Sequence, residues 1–521
     1  MFSFFTRWKS LSQPIQEQSR LKGALHMAVS RGLSLALQLA SVPILLQVLG
    51  TDGFGAVGFV MSLAAFAYLL DVGFCEGTWI RMLRYTDPEN TYTIGTLRKT
   101  HVVSWCVTGL IGGLCIALLG PFLRPEGYTG NLYALYGSGG IFFACWCLHS
   151  SNNQVMMATK QFKALGVMSL LYSFGGGLIS LGLAVYFRRS EWVLLGNACG
   201  GILSGGYALM YSRKVFGTEG AFSRELTREA LKIGRKSYPN RALTQAMGQG
   251  DRLLLGSASV TGLGNYNSST RIAEGLQELA IQFRHTFQAD ISAAQIQGGV
   301  AFSNALEKFS RLILVMSLAM LVVPAGFGKS ILSLWLGEKM YVEGATLFLC
   351  RSIYLAFENY FAIFGIAMIA AIKPHLHFRV VAWNAFVTLT CTIPAYRMFG
   401  VVGLGYMNVT LELLLFFPYL LMVKRSLCQE FPLGKHLRGF AVLAGVGGAV
   451  TLGCWLLSGT QLFTDYPILG VIATPFAMGL CILLCFATGE VGIPDGVARK
   501  LNKIPVLARF TGKGRGPSQS E

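Results

Sequence analysis

The chain has 521 residues, of which 53% are hydrophobic and only 13% are charged, and its mean hydropathy is +0.52. Soluble domains carry about 25% charged residues, so this composition excludes an ordinary soluble enzyme or binding domain and indicates a membrane protein. A formal net charge of +18 would suggest a nucleic-acid partner for a soluble chain. In a membrane protein the same excess is expected from basic cytoplasmic loops, and we predict no nucleic-acid partner.

The N-terminal residues 1–23 carry basic side chains but no small-residue cleavage site, so they are predicted to be a retained cytosolic tail rather than a signal peptide. The twelve cysteines form no CxxC pair, and all but Cys428 lie in or beside apolar segments. Such cysteines are typical of helix packing. We therefore predict no metal site and no cofactor.

Apolar segments long enough to cross a bilayer, roughly 20 residues each, recur along the chain. The pattern predicts an all-α polytopic membrane protein with about fourteen transmembrane helices. The seventh and eighth spans contain charges. In chain order, the predicted spans are 24–49, 54–77, 102–121, 132–157, 164–187, 192–212, 238–260, 266–294, 311–329, 344–372, 377–396, 401–423, 439–458 and 467–489.

The basic residues alternate between the loops in the way that these spans require. Most of the 43 Lys and Arg residues fall in loops on one side, which the positive-inside rule makes cytoplasmic. We therefore predict a multi-pass protein of the cell inner membrane with both termini in the cytoplasm. The predicted outer loops are short and hold only Arg124, Arg188, Arg189, Lys329, Lys339 and Arg397.

The longest connection is predicted to be a cytosolic amphipathic linker. Phe222, Leu226, Ala230 and Ile233 recur at helical spacing, with basic residues on the other faces. Such a helix is expected to lie on the anionic inner leaflet. The predicted divisions are a tail (1–23), an N-terminal lobe (24–212), the linker (213–237), a C-terminal lobe (238–423), two additional spans (424–489) and a basic cytosolic tail (490–521).

A faint internal repeat supports a duplicated bundle. Arg31 and Arg241 each lie near the start of a span, the first and the seventh. About twenty residues after each arginine comes a glycine-containing turn, Leu49–Gly55 and Thr261–Tyr266, and then another span. Many transporters are built from such repeats, with the substrate site between them.

Five segments resemble a known family. Val48–Gly55 and Leu70–Phe74 are similar to the N-terminal signature of the Wzx-type polysaccharide repeat-unit flippases, in the multidrug/oligosaccharidyl-lipid/polysaccharide exporter superfamily. Gly250–Gly256 with Gly264–Tyr266 resembles that family's seventh span and turn, and Leu332–Glu338 resembles the segment after its ninth. The similarity covers the whole chain as a pattern.

The resemblance implies two pseudo-symmetric helical lobes around a central cavity and transport by alternating access. It implies an undecaprenyl-diphosphate-linked oligosaccharide as substrate, flipped from the cytoplasmic to the periplasmic leaflet for exopolysaccharide, capsule or O-antigen (lipopolysaccharide) synthesis. The other expected partners are membrane lipids, a polysaccharide polymerase and a chain-length regulator.

Charged side chains inside the spans are the candidate site residues. A charge at the bilayer centre costs at least roughly 2.5–3.5 kcal/mol, so such residues face a cavity or a partner. Arginine suits a diphosphate because its planar fork donates several hydrogen bonds and keeps its charge. We predict that the diphosphate is bound by Arg31, Arg241, Arg271, Arg284 and Arg351; Arg252 also falls in a span but is left out of this set.

The carboxylates inside the spans have two interpretations. They line the cavity or couple transport to protons or sodium, or they simply pair with the arginines; Arg271 and Glu274, three residues apart, are a ready local ion pair. The sequence leaves both open. These residues are Asp71, Asp251, Glu274, Glu278, Glu358 and Glu412.

Two other functions remain as alternatives: a cation-coupled multidrug exporter of the same superfamily, and a membrane polysaccharide polymerase or ligase. The short outer loops disfavour the polymerase or ligase. The chain contains no GxxxxGK[ST] loop, no HExxH and no GxSxG elbow, so no nucleotide motor, zinc protease or hydrolase of those kinds is indicated.

Overall fold

The computed structural model describes residues 17–83, 92–159, 161–217, 220–371 and 373–491, and within these ranges it contains helices and no strand. Short 3₁₀ turns (Tyr68–Asp71 and Gly120–Phe122) and π-helical turns (Leu170–Gly175 and Val423–Leu427) adjoin the α-helices. The α-helices are α1 Glu17–Ala67, α2 Phe74–Leu83, α3 Ile94–Leu119, α4 Leu132–Ala158, α5 Phe162–Ser169, α6 Gly176–Phe187, α7 Ser190–Phe216, α8 Arg224–Ala258, α9 Val260–Gln297, α10 Gly299–Leu336, α11 Glu338–Ala370, α12 Pro374–Phe399, α13 Val402–Met422, α14 Leu433–Ser458, α15 Gln461–Asp465 and α16 Ile468–Ala487.

Ten stretches of the described chain are long and apolar enough to cross a membrane. The predicted class, an all-helical multi-pass membrane protein, is therefore confirmed. The first stretch, Gly32–Asp71, is 40 residues long and covers two predicted spans. The predicted spans 132–157, 238–260 and 266–294 coincide with the helices α4, α8 and α9, which fall outside the ten; α8 and α9 are the more polar of these.

Glycine explains the break between the first two predicted spans. Gly50 adopts φ 70° and ψ 174° within α1, a backbone conformation that residues other than glycine rarely adopt. The predicted turn at Leu49–Gly55 therefore exists. The second predicted turn is wrong in position, because Thr261–Tyr266 lies inside α9 and the helix break comes earlier, at Ser259.

The chain divides into two compact units. Unit 1 comprises Met1–Gln245 with Gly256–Thr261, and unit 2 comprises Ala246–Leu255 with Gly262–Glu521, so that α8 contributes to both. In unit 1 the helices cross closely at glycines. Gly113 on α3 faces Gly140 on α4, and Gly176 on α6 faces Gly200 on α7, each pair so near that a Cβ would overlap the opposite backbone. Small residues at crossings let membrane helices approach in this way.

Unit 2 has a large apolar core shared by its own helices. Buried aromatic residues, including Tyr360, Phe364 and Phe431, pack with the aliphatic face of α10 and with Cys481 and Cys485 of α16. The predicted additional spans, α14 and α16, thus share this core with α10 and α11.

The amphipathic helix of the predicted linker forms the first part of α8. Leu226 and Ala230 on its predicted apolar face are fully buried, whereas Phe222, just before the helix, is 43% exposed. Within unit 1 this face packs on α2: a Cβ at Gly77 would overlap the backbone of Ala230, and one at Gly73 would overlap that of Gly234. Arg81 and Glu229, joined at 2.9 Å, extend the same contact.

Candidate functional site

Three arginines of unit 2 converge on one glutamate. Arg271 and Glu274 lie three residues apart on α9, with Nη1 and Oε2 3.6 Å apart. From α11, Arg351 brings its Nη2 to 3.4 Å from Oε1 of Glu274, and Arg252 of α8 pairs with the same oxygen. The side chains of Arg351, Arg252 and Glu274 are 11–19% exposed, and that of Arg271 is 39% exposed. We call these four residues the arginine cluster.

A tyrosine connects the arginine cluster to a buried aspartate. Tyr266 on α9 donates a 2.9 Å hydrogen bond to Oδ2 of Asp251, and Nη1 of Arg351 reaches the Tyr266 hydroxyl at 3.4 Å. Asp251 is only 2% exposed. The guanidinium of Arg351 also lies over the ring of Tyr354, 5.0 Å from its centroid, an orientation that favours the cation.

The arginine cluster, taken together with Asp251, carries more positive than negative charge. Three guanidinium groups face two carboxylates. In addition, the buried Nε atoms of Arg252 and Arg351 have no hydrogen-bond partner among the described residues. Unused donors on desolvated cations favour an anion, and the forked geometry of arginine matches phosphate oxygens. The arrangement can therefore accept an anionic group.

Arg241 of unit 1 has a different environment. Its guanidinium is 2.9 Å from Oδ1 and 3.0 Å from Oδ2 of Asp71, and 3.9 Å from Glu76. It also stacks on Tyr68, 3.5 Å from the ring centroid, and donates to the Tyr68 carbonyl at 2.8 Å. Two carboxylates thus balance this one arginine, which the sequence had grouped with the diphosphate ligands.

The other predicted carboxylates of unit 2 include Glu412 and Glu358. Glu412 is 3% exposed on α13 and accepts a 3.4 Å hydrogen bond from Asn384. Glu358 is partly buried on α11. The side chains of Arg31, Arg284 and Glu278 lie outside the described residues.

Sequence reasoning missed Arg252 and Tyr266 as members of this site. Arg252 directly follows Asp251 in the sequence. Tyr266 lies on the next helix and is uncharged, so the pattern of charged residues within spans does not include it. In the part of the chain that the structure describes, no group of three His, Cys, Asp or Glu residues is arranged to hold a metal ion.

Comparison with solved structures identifies the fold. The chain is similar to the lipid II flippase MurJ in its inward closed conformation, with a TM-score of 0.69 and 12% identity over 90% of this chain and 98% of that one. It is also similar to an inward-facing multidrug resistance MATE family transporter of the MOP superfamily, with a TM-score of 0.59 and 15% identity over 76% and 96% of the two chains.

A third similar structure is that of the MATE multidrug transporter DinF-BH, with a TM-score of 0.53 and 13% identity over 80% and 97% of the two chains. At such identities these likenesses show the fold alone. No curated protein sequence matches the chain.

The family assignment comes from a sequence profile. The family described as "Polysaccharide biosynthesis protein" matches residues 44–342, more than half of the chain. This match includes the whole of α2 to α9 and therefore Arg252, Arg271 and Glu274. The chain accordingly belongs to the polysaccharide biosynthesis protein family.

Proposed function

We propose that the protein flips an undecaprenyl-diphosphate-linked oligosaccharide repeat unit from the cytoplasmic to the periplasmic leaflet of the inner membrane, by alternating access. The product would serve exopolysaccharide, capsule or O-antigen synthesis, together with a polymerase and a chain-length regulator. The arginine cluster carries this proposal, because its excess positive charge and unused Nε donors suit a diphosphate.

The proposed topology has fourteen spans, in two pseudo-symmetric lobes, with both termini cytoplasmic. The number of helices supports this topology. The break at Gly50 divides the first of the ten apolar stretches into two spans, and α4, α8 and α9 add three more, which gives fourteen. The polarity of α9 is what a helix lining an aqueous path would need. In this proposal the path also includes Arg31 and Arg284.

The coupling ion is a separate part of the proposal. Asp251 and Glu412 are buried carboxylates of unit 2 that pair directly with no arginine in the described chain. They are the residues that we propose for proton or sodium coupling. Asp71 and Glu274 already neutralise arginines, so we propose a structural role for them.

The proposal is tested by deleting the protein in its host and restoring it with variants. We expect the deletion to accumulate complete lipid-linked repeat units on the cytoplasmic leaflet and to lose surface polymer. Arg271→Gln should fail to restore flipping, although Arg252 and Arg351 still neutralise Glu274. Arg397→Gln, the same change at an exposed arginine in the last turn of α12, should restore it.

Quantifying repeat units on each leaflet separates the alternatives. Normal arrival of complete units on the periplasmic face in the deletion strain would reject the flippase. Increased drug sensitivity in that strain would then favour the multidrug exporter, and units that reach the periplasm but stay unpolymerised would favour the polymerase.

A further inference from the structure

A narrow crevice in unit 2 is lined by several polar atoms that have no hydrogen-bond partner among the described residues. It is lined by Ala273 and Leu276 of α9, Ser317 and Met320 of α10, and a face of α11 formed by Ser352, Leu355, Ala356 and Asn359. These four α11 residues follow the three- and four-residue spacing of one helix face. The crevice thus runs for two helical turns between three helices.

Three of the lining side chains are buried without hydrogen bonds. Ser317 and Asn359 are each 2% exposed and Ser352 is 8% exposed. The hydroxyl oxygens of both serines and Oδ1 of Asn359 have no partner among the described residues. A buried polar group is destabilising when it is left without a hydrogen bond, so three such groups in one place indicate that a ligand binds there.

The backbone adds a fourth acceptor. Pro324 lies inside α10 and has no N–H, so the carbonyl of Met320, four residues earlier, lacks its usual helical donor. Met320 lines the same crevice. Since Ser317 lies midway along the apolar helix α10, lipid chains cannot satisfy these groups.

The size and charge of the crevice indicate what binds there. Its volume of about 20 Å³ exceeds the roughly 10–15 Å³ that one water needs. None of its lining residues is charged. The adjacent residues in sequence, Glu274 beside Ala273 and Arg351 beside Ser352, belong to the arginine cluster, whose positive excess disfavours a cation.

We propose that this crevice is an internal hydration site, in which ordered water bonds the polar groups of Ser317, Ser352 and Asn359. Ser352 and Asn359 lie about 10.5 Å apart along α11, so a single water does not bridge them. The waters form hydrogen bonds with polar groups that lipid chains cannot bond. They hydrate the face of α11 that adjoins the face carrying Arg351.

Hydroxyl-radical labelling of the purified protein by a synchrotron X-ray pulse tests this site. Radicals form from water where it sits, so a methionine beside ordered water is oxidised faster than one packed on apolar side chains. Met320 lines the crevice, whereas Met316, one turn earlier on α10 and also partly buried, packs against the apolar core. We expect Met320 to be oxidised several-fold faster than Met316; equal rates would overturn the proposal.

Two substitutions at one position sharpen the result. Asn359→Leu fills the crevice and removes an acceptor, so the Met320 rate should fall to that of Met316. Asn359→Ala enlarges the crevice, so the Met320 rate should be kept or raised; Ser317→Ala serves as a second variant if either fails to fold. Replacing sodium chloride by choline chloride should change nothing, and a sodium-dependent rate at Met320 would overturn the water assignment in favour of a cation site.

Discussion

Arg241 and Asp71 form a buried charge pair in unit 1. Asp71 has no exposed side-chain surface, and it also accepts hydrogen bonds from the backbone N–H groups of Gly73 and Cys75, at 3.0 and 3.1 Å. The aspartate therefore joins the start of α2 to α8 through the arginine. A buried pair of this kind adds little net stability, but removing one partner strands the other charge.

Arg241→Gln is therefore expected to destabilise unit 1 by about 3–5 kcal/mol, because Asp71 keeps its charge and loses its main cation. Arg241→Lys should lie between the wild type and Arg241→Gln, since the compact ammonium group keeps the charge but lacks the planar fork that spans the Asp71 oxygens and the Tyr68 carbonyl. The midpoints of thermal unfolding of the purified variants measure this order. Identical midpoints for all three proteins would show that the pair is not stabilising.

The sequence could predict only part of the arginine cluster. Three-residue spacing places Arg271 and Glu274 on one helix face as a ready local ion pair, one of the two interpretations left open, and in the structure their charged atoms lie 3.6 Å apart. The convergence of Arg252 and Arg351 on the same glutamate depends on how α8 and α11 are rotated about their axes. Hydropathy does not encode that rotation, so the sequence grouped Arg351 with Arg241, whose partners lie in unit 1.

At the scale of helices, the hydropathy pattern predicted the position of most elements. The predicted spans 192–212 and 467–489 correspond to α7 and α16 within a few residues. The predicted linker was harder to interpret from the sequence. Its periodicity predicts an apolar face, but it does not predict which element packs on that face. In the structure, part of that face is covered by α2, through glycines whose partners lie about 160 residues away in sequence.

The α2–α8 contact predicts a sharp sensitivity at Gly77. In Gly77→Ala, the new methyl group would overlap the carbonyl of Ala230, and neither helix backbone can yield locally. Overpacking of this kind typically costs about 1–3 kcal/mol. We expect a lower midpoint of thermal unfolding and faster amide exchange in the α8 segment before Pro239.

Gly182 on α6 provides the matched control. A Cβ there meets nothing within 4 Å, so Gly182→Ala should be neutral or stabilising by up to about 1 kcal/mol, as alanine is the better helix former. If Gly77→Ala behaves like Gly182→Ala, the two helices do not pack as closely as the structure shows.

At the scale of the whole molecule, the last two predicted spans are part of unit 2 and not an appendage. Arg311 on α10, whose side chain is 7% exposed, makes this connection. It contacts the carboxylates of Glu307 and Glu490, each at 2.7 Å, and the carbonyl of Lys435 at 3.1 Å. One guanidinium therefore joins α10 to the start of α14 and to the segment that follows α16.

Arg311→Gln is expected to loosen unit 2 without affecting unit 1. The substitution leaves the buried Glu307 and the partly buried Glu490 without their shared cation, at a cost of about 3–5 kcal/mol. Since the two units have separate cores, amide exchange should rise in α10, α14 and α16, while α4 in unit 1 keeps the wild-type rate. Hydrogen–deuterium exchange followed by mass spectrometry measures both regions in one sample.

Lys435→Gln is the control for Arg311→Gln. It removes a positive charge near Glu307 but keeps the contacts that Arg311 makes. The Lys435 side chain is 69% exposed and its ammonium is 3.3 Å from Glu307, so exposure to solvent makes the pair weak, about 0–1 kcal/mol. Its carbonyl still accepts from Arg311 in the variant, and exchange in α14 should stay at the wild-type rate. Equal acceleration in both variants would assign the effect to charge alone. Acceleration that spreads into α4 would show that the two units unfold as one, because stability is then shared across the boundary within α8.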